Sequence, residues 1–351
     1  MNRSHNPFIQ LIEDPSSPTM IVAELSANHA HDLNLAKETI HAMKESGADA
    51  VKLQTYTPNT MTINHSNEFF QIRQGTLWDG KTFYELYQQA YTPWEWHFEL
   101  KELAEKLGLI FFSTPFDHSS VDFLEKLNVP AYKIASFEIL DIPLIQYVAS
   151  KAKPIIISTG IATLCEIEEA VEAVQSTGNH QIILLKCTSS YPAPLEEVNL
   201  RTIPNLADTF GCTVGLSDHT LGITAPVAAV ALGARLIEKH FILSRDIPSP
   251  DKDFSLTPTD FAQMVQAVRD AEKALGRISY ELTEKMKKNR VFGRSLFVVK
   301  DMKAGEVFSP ENVRSIRPNF GLPPKYLPQI LGRQARTDIP RGTPLHWHLI
   351  G

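Results

Sequence analysis

Along the first 280 residues, short apolar runs of strand length alternate with longer stretches whose apolar positions recur at helical spacing. Eight such runs occur: MIVAE (20–24), DAVKLQ (49–54), LIFFST (109–114), AYKIAS (131–136), PIIIST (154–159), QIILLK (181–186), TVGLSD (213–218) and RLIEKH (235–240). This alternation predicts βα units around a parallel sheet. A doubly wound sheet shares it, but eight is the number of strands that closes a (β/α)8 TIM barrel.

The intervening helices have readable faces and stops. In EWHFELKELAEKLG (95–108), Phe98, Leu100, Leu103, Ala104 and Leu107 form one predicted face, with Gly108 at the C-cap. LAKETIHAMKESG (35–47) stops the same way at Gly47, and the segment Pro258 to Leu275 stops at Gly276. Two stretches break the rhythm. Tyr56 to Thr92 far exceeds the ~2 to 6 residues of an ordinary βα loop, and its Trp78, Phe83, Tyr84, Tyr87 and Tyr91 predict an aromatic lid. The charged run ELTEKMKKNR (281–290) predicts a linker between a barrel domain, 1–280, and a small β-rich domain, 291–351. In that second domain KAGE and PRGT mark glycine-centred turns.

Composition narrows the class. A chain of 351 residues exceeds the ~250 to 300 at which one core stops growing, which suits one large domain plus a small one. With 43% hydrophobic and 21% charged residues it reads as globular. No apolar run approaches the ~18 residues of a membrane span, so no membrane partner is expected. Met1 to Thr19 is polar, with neither the charged head nor the apolar stretch of a secretory signal, which predicts a cytoplasmic protein. Cys165, Cys187 and Cys212 show no CxxC spacing, the pattern of reduced thiols and not of a disulfide framework or thiolate zinc site. A net charge of −6 argues against a nucleic-acid partner. An anionic ligand must then be met by a few local side chains.

Those side chains stand at the C-terminal ends of the runs, which converge in a barrel on the mouth that holds the active site. Glu24 ends the first run, Lys52 and Gln54 the second, Ser113 and Thr114 the third, and Lys133, Ser136 and Glu138 the fourth. Ser158 and Thr159 end the fifth, Lys186 and Thr188 the sixth, Ser217, Asp218 and His219 the seventh, and Glu238, Lys239 and His240 the eighth. Charged groups inside apolar strands are costly unless paired. Three lysines, Lys52, Lys133 and Lys186, among hydroxyls therefore describe a site for a small, highly anionic ligand such as a sugar phosphate or phosphoenolpyruvate. A lysine at a strand end also fits a Schiff-base aldolase. His219 and His240 end consecutive strands, so their imidazoles can face a common point. With open positions left for water and oxygen ligands, they suit a divalent metal ion such as Mn2+, Co2+ or Mg2+ better than a closed zinc site. Glu238 shares a face with His240 under period-two alternation, placed to orient a ligand or buffer a lysine.

In order and spacing, AELSANH (23–29), DAVKLQTYTP (49–58), STPFD (113–117), YKIASFE (132–138), STG (158–160), KCTSSYP (186–192), GLSDHT (215–220), EKHF (238–241) and PDKDFSL (250–256) resemble the motifs of the N-acetylneuraminate (sialic acid) synthase family. VKDMKAGEVFSPENVRSIRPNFG (299–321) resembles that family's antifreeze-protein-like (SAF) domain. The resemblance covers almost the whole chain. It implies a condensation in which C3 of phosphoenolpyruvate attacks the open-chain aldehyde of an amino sugar, water adds at C2 and phosphate leaves by C–O cleavage. A metal on His219 and His240 would polarise the aldehyde. Lys52, Lys133, Thr114, Ser136, Ser158 and Ser217 match positions that hold the phosphate and carboxylate of phosphoenolpyruvate. Glu24, Glu138 and Asp251 match acidic residues near the metal and sugar, and Tyr191 and Gln54 match sugar-side or phosphate-side contacts.

Ser189, a substrate-side position where Asn is common in the sialic branch, and GTLWDGKTFYELYQQAYTPWEW (75–96) resemble the branch acting on 2,4-diacetamido-2,4,6-trideoxy-L-altrose. That sugar lacks a 6-hydroxyl, which favours an apolar wall. Synthesis of N-acetylneuraminate or legionaminate is the alternative within the family. A degenerate barrel that binds carbohydrate or an ice surface through its C-terminal domain is the alternative of another class. Lys252 and Asp253 follow the matched Asp251 with open roles. Arg317, in SIRPNFG, matches an arginine that reaches from the small domain of one subunit into the mouth of its partner, which implies a domain-swapped homodimer.

Overall fold

Runs rich in Val, Ile, Leu and Phe suit parallel strands buried on both faces, and the computed structural model forms all eight. They are β1 (Met20–Glu24), β2 (Ala50–Thr55), β3 (Ile110–Pro115), β4 (Tyr132–Ile134), β5 (Ile155–Ser158), β6 (Ile182–Cys187), β7 (Thr213–Asp218) and β8 (Leu236–His240). Each strand pairs in parallel with its neighbour in sequence, and β8 closes on β1. Glu24 is thereby the register partner of both Lys52 and His240. The closed barrel excludes the doubly wound alternative.

The structure describes residues 6–351, so that part of the N-terminal reading that concerns Met1–His5 lies outside the described residues. The rest of that stretch is not simply polar. Pro7–Glu13 is a helix capped by the Asn6 side chain, and its Phe8, Ile9 and Ile12 are buried. They join Met20, Val22, Ala50, Phe112, Ala131, Ile156, Ile183, Leu185 and Leu236 in one apolar cluster inside the barrel. Each such side chain contributes about 1.5 to 3 kcal/mol through burial. The opposite faces of the same strands, Ile21, Val51, Tyr132, Ile157, Leu184 and Ile237 among them, pack against the surrounding helices.

The helix Trp96–Lys106 buries His97, Leu100 and Ala104, while Leu103 and Leu107 pack at its margin. Phe98, expected on that face, is 53% exposed and lies edge-on to Phe123 at 5.7 Å. His97 takes the inner place because its ring can bond Thr55 Oγ1 at 2.9 Å and the Pro93 carbonyl at 3.2 Å. Gly47 and Gly108 adopt the positive φ of helix C-caps, +90° and +71°. Among the described residues no helix is long and apolar enough to cross a membrane.

The chain divides into two compact units, the first ending at Gly276 and the second spanning Arg277–Gly351. Part of the charged run, Glu284–Asn289, is helical within the second unit. There β9 (Ser295–Val298) and β10 (Val313–Ile316) pair antiparallel over a core of Leu296, Val298, Phe308, Val313, Ile339 and Leu345. The expected turns are present at Gly305 (φ +82°) and Gly342 (φ +87°). Reciprocal backbone bonds between Met302 and Ile339 draw the segments that carry those turns together.

Candidate active site

Alternation along the strands stacks the barrel interior in layers, apolar below and charged above. In β1, Met20 and Val22 lie in the apolar cluster and Glu24 lies one step higher; β2 repeats this with Ala50, then Lys52 and Gln54. Glu24 Oε2 stands 2.8 Å from Lys52 Nζ. Glu238 Oε1 stands 3.6 Å from Lys52 Nζ and 3.7 Å from Lys133 Nζ. Hydroxyls complete the layer: Lys52 donates to Thr114 Oγ1 at 3.3 Å, Lys133 to Ser158 Oγ at 2.7 Å, and Ser217 to Glu238 Oε1 at 3.1 Å. Gln54 donates to Glu24 Oε1 at 3.0 Å and to Ser26 Oγ at 2.9 Å, and Ser26 in turn donates to Asp251. All the charges here are almost fully buried.

Burial by itself would raise Glu238, but Lys133 and Lys52 outweigh it and hold the carboxyl below its ordinary value. Glu24 is raised by burial, against the pull of Lys52. Lys133 is lowered by burial despite Glu238, while burial of Lys52 is outweighed by Glu238 and Glu24. Glu138 is pushed up to about 7 by burial, opposed by Lys133. One oxygen each of Glu138 and Glu238 is buried without a partner, which leaves both free to meet a ligand, a water or an ion.

The same alternation turns several expected mouth residues away. Lys186 points outward: its Nζ donates to the Cys187 carbonyl at 2.5 Å, and it lines an outer groove of about 900 Å3 with Thr159 and Arg201. Ser113 bonds Thr55 Oγ1 at 2.7 Å on the helix side. Asp218 and Lys239 pair with each other at 2.6 Å. The mouth therefore holds two lysines, not three. The side chain that faces inward from the end of β6 is Cys187, 3.7 Å from His219 Nδ1. Burial would raise this thiol, but His219 and a Ser136 hydrogen bond bring it down to about 7.

His219 and His240 lie side by side, ring centroids 5.4 Å apart. His219 Nδ1 faces the Thr188 carbonyl at 3.1 Å and so carries the proton, which leaves Nε2 as the lone pair. His240 Nδ1 is buried without a partner, 3.9 Å from Asp251 Oδ2. Burial, then the charge of His219, holds His240 well below the usual imidazole range, so it is neutral. Burial raises Asp251 against the Ser26 hydrogen bond. Among the described residues no group of three or more His, Cys, Asp or Glu forms a metal cage. Burial would lower His219, but Cys187 raises it; the two imidazoles, one with an orphaned ring nitrogen, nonetheless fit an ion whose other positions belong to water and oxygen ligands.

An aromatic wall flanks the histidines. Tyr191 lies 4.4 Å from His219 and 5.1 Å from Phe254, and Phe254 lies 4.8 Å from His240. From the lid, Trp78 reaches Tyr191 at 5.6 Å and its Nε1 donates to the Pro250 carbonyl at 3.2 Å. Tyr87 meets Tyr56 at 5.7 Å, and burial plus the Glu138 charge raise its phenol to about 12. Tyr84 is half-buried one helical step aside. Gly160 closes a corner: its N–H donates to Ser136 Oγ at 3.1 Å, and a Cβ there would collide with the Ser136 and Ser189 hydroxyls. Arg317, in the second unit, is exposed, as is Asp253, with Lys252 half-buried.

Cys187, Ser26, Gly160 and Phe254 escaped assignment from sequence. All four sit inside the quoted motifs, so position was the available signal and orientation the missing one.

Comparisons with known proteins agree with this architecture. The sequence profile of the NeuB family matches residues 39–280 and that of the SAF domain residues 293–350. The chain is 51% identical over 329 residues to a pseudaminic acid synthase of Helicobacter pylori, covering 93% of this chain and 96% of that one. It is 39% identical over 340 residues to an N,N'-diacetyllegionaminic acid synthase of Legionella pneumophila, covering 95% of each. Among solved structures, an N-acetylneuraminic acid (sialic acid) synthetase of Leptospira borgpetersenii superposes with a TM-score of 0.69 at 32% identity, over 78% of this chain and 90% of that one.

Proposed function

The chain belongs to the NeuB family, and on that premise we propose that it condenses phosphoenolpyruvate with 2,4-diacetamido-2,4,6-trideoxy-L-altrose to give pseudaminic acid and phosphate. One observation carries the choice of sugar: identity to the Helicobacter pylori synthase is 51%, against 39% to the legionaminic acid enzyme. The apolar wall of Trp78, Tyr191 and Phe254 favours a 6-deoxy sugar over N-acetylmannosamine, because a sugar methyl at C6 leaves no hydroxyl to satisfy there.

In this reading Lys52 and Lys133, with Thr114, Ser136, Ser158 and Ser217, receive the phosphate and carboxylate of phosphoenolpyruvate. Buried ammonium groups with hydroxyl neighbours suit a small polyanion, and its arrival offsets their mutual repulsion. Lys133 is a binding group; a Schiff base has no step in this chemistry. C3 of phosphoenolpyruvate bonds to the aldehyde carbon, the aldehyde oxygen takes one proton, and water adds hydroxyl at C2 while releasing one. Loss of phosphate by C–O cleavage then balances the reaction. Glu138, half-protonated near neutral pH, is the donor to the aldehyde oxygen; Glu24 and Asp251 hold the water and sugar hydroxyls. Gln54, Ser189 and Tyr191 orient the substrates. His219 and His240 would hold a divalent ion, which supplies Lewis-acid polarisation of the aldehyde when bound.

The test offers purified protein phosphoenolpyruvate with the altrose derivative, N-acetylmannosamine or the precursor of N,N'-diacetyllegionaminic acid in parallel. Phosphate release should be greatest with the altrose derivative. A higher kcat/KM with either other sugar would reassign the branch, and no release with any would return the chain to a carbohydrate-binding role.

A further inference from the structure

Asp218 and Lys239 lie outside the barrel mouth, yet each directly precedes one of the two candidate metal ligands. They are register partners across β7 and β8, 2% and 0% exposed. Lys239 Nζ donates to Asp218 Oδ2 at 2.6 Å and also to the Thr220 carbonyl. Asp218 accepts from the Thr220 N–H at 3.0 Å and from its hydroxyl at 3.2 Å. Both residues flanking His219 are thus tied to the residue before His240. From the other side the Thr188 carbonyl fixes the His219 ring.

Stability is a poor explanation for this pair. Replacing a buried ion pair by apolar side chains of similar volume is often neutral or stabilising, because desolvation consumes the Coulombic gain. What the pair supplies is geometry: one ammonium bonded to two acceptors fixes the turn 218–220 against β8. We propose that Asp218 and Lys239 are positioning residues that set the separation of His219 and His240 and thereby the affinity for a divalent ion. This rests on the metal reading above. A ligand pair must be held within about 0.5 Å of its working geometry, and outer contacts that orient ligands typically change metal affinity by about 10 to 100-fold.

The experiment compares the full chain with a double variant, Asp218→Leu with Lys239→Met. Mn2+ binding is read without substrates from the electron paramagnetic resonance of the free ion, alongside Tm and phosphoenolpyruvate binding to metal-free protein. The double variant should remain folded, its Tm lowered only by the lost Thr220 hydrogen bonds, and keep its phosphoenolpyruvate Kd within about twofold, while its Mn2+ Kd rises at least about tenfold. A folded variant with unchanged Mn2+ affinity overturns the inference. Should the double variant not fold, Asp218→Asn is read in the same way: it keeps an oxygen for the Thr220 N–H but loses the charge facing Lys239. A parent chain that binds no Mn2+ overturns the metal reading itself, and this inference with it; a binding parent and an unchanged variant overturn this inference alone.

Discussion

The Glu238 carboxylate lies 3.7 Å from the Lys133 ammonium, and it shares its charge with Lys52 at 3.6 Å. Removing that charge leaves the buried Lys133 ammonium without a carboxylate, while Lys52 keeps Glu24 at 2.8 Å. Glu238→Gln should therefore lower stability by about 3 kcal/mol, seen as a drop of several degrees in Tm. Phosphoenolpyruvate, itself anionic, should raise Tm more in the variant than in the parent, because it replaces the missing charge. An equal rise in both proteins would contradict the proposed anion site.

Glu138 gives the protein a pH dependence of defined sign. Below pH 4.5 its carboxyl is neutral whether folded or unfolded. Between 4.5 and about 7 the unfolded chain ionises while the folded one keeps its proton, so stability falls as pH rises through that window. The loss is complete above pH 7 and amounts to at most about 3 kcal/mol. Glu138→Gln should match the parent's Tm at pH 4.5 and exceed it at pH 8. If Glu138 donates the proton, kcat should fall roughly a hundredfold in the variant and the alkaline limb near pH 7 should vanish.

Chelation should abolish turnover, and Mn2+ or Co2+ should restore it. His240→Ala should lose activity while remaining folded, since its Nδ1 has no bond to forfeit. Full activity of protein verified to be metal-free would remove the histidines from the mechanism.

Trp78→Ala and Tyr87→Ala should raise the sugar KM by about tenfold or more and that of phosphoenolpyruvate by less than about twofold. Tyr84→Ala should do less, because Tyr87 and not Tyr84 meets Tyr56 and sits beside Glu138. Steady-state kinetics in both substrates separates these outcomes; equal effects on the two KM values would take the lid out of sugar selection.

Arg317 is exposed in the second unit, and the family resemblance implies that it acts in a partner's mouth. Mixing Arg317→Ala with His240→Ala under subunit exchange should then restore about a quarter of parental activity per site, since each mixed two-fold dimer holds one intact site. An exchanged mixture that stays inactive would assign the arginine to its own subunit or to no site.

Sequence by itself determined the number and order of strands, the lid's location, the helix stops at Gly47 and Gly108, and the strand ends at which polar and charged groups gather. Those features follow from local period and punctuation, which a single chain displays. Orientation was decided only by the tertiary structure. In QIILLK, Ile182, Ile183, Leu184 and Leu185 are all apolar, because a parallel strand in a barrel is buried on both faces. Alternation then carries no contrast, and nothing local says whether Lys186 or Cys187 faces inward. Closure of β8 onto β1 and the resulting register settle it: Cys187 turns to His219, Lys186 to the outer groove, and Asp218 and Lys239 to each other. The helix Pro7–Glu13 was hidden for a related reason. Its Phe8, Ile9 and Ile12 are too few to show a period, and they become a core only against the floor of a barrel contributed by residues up to Leu236.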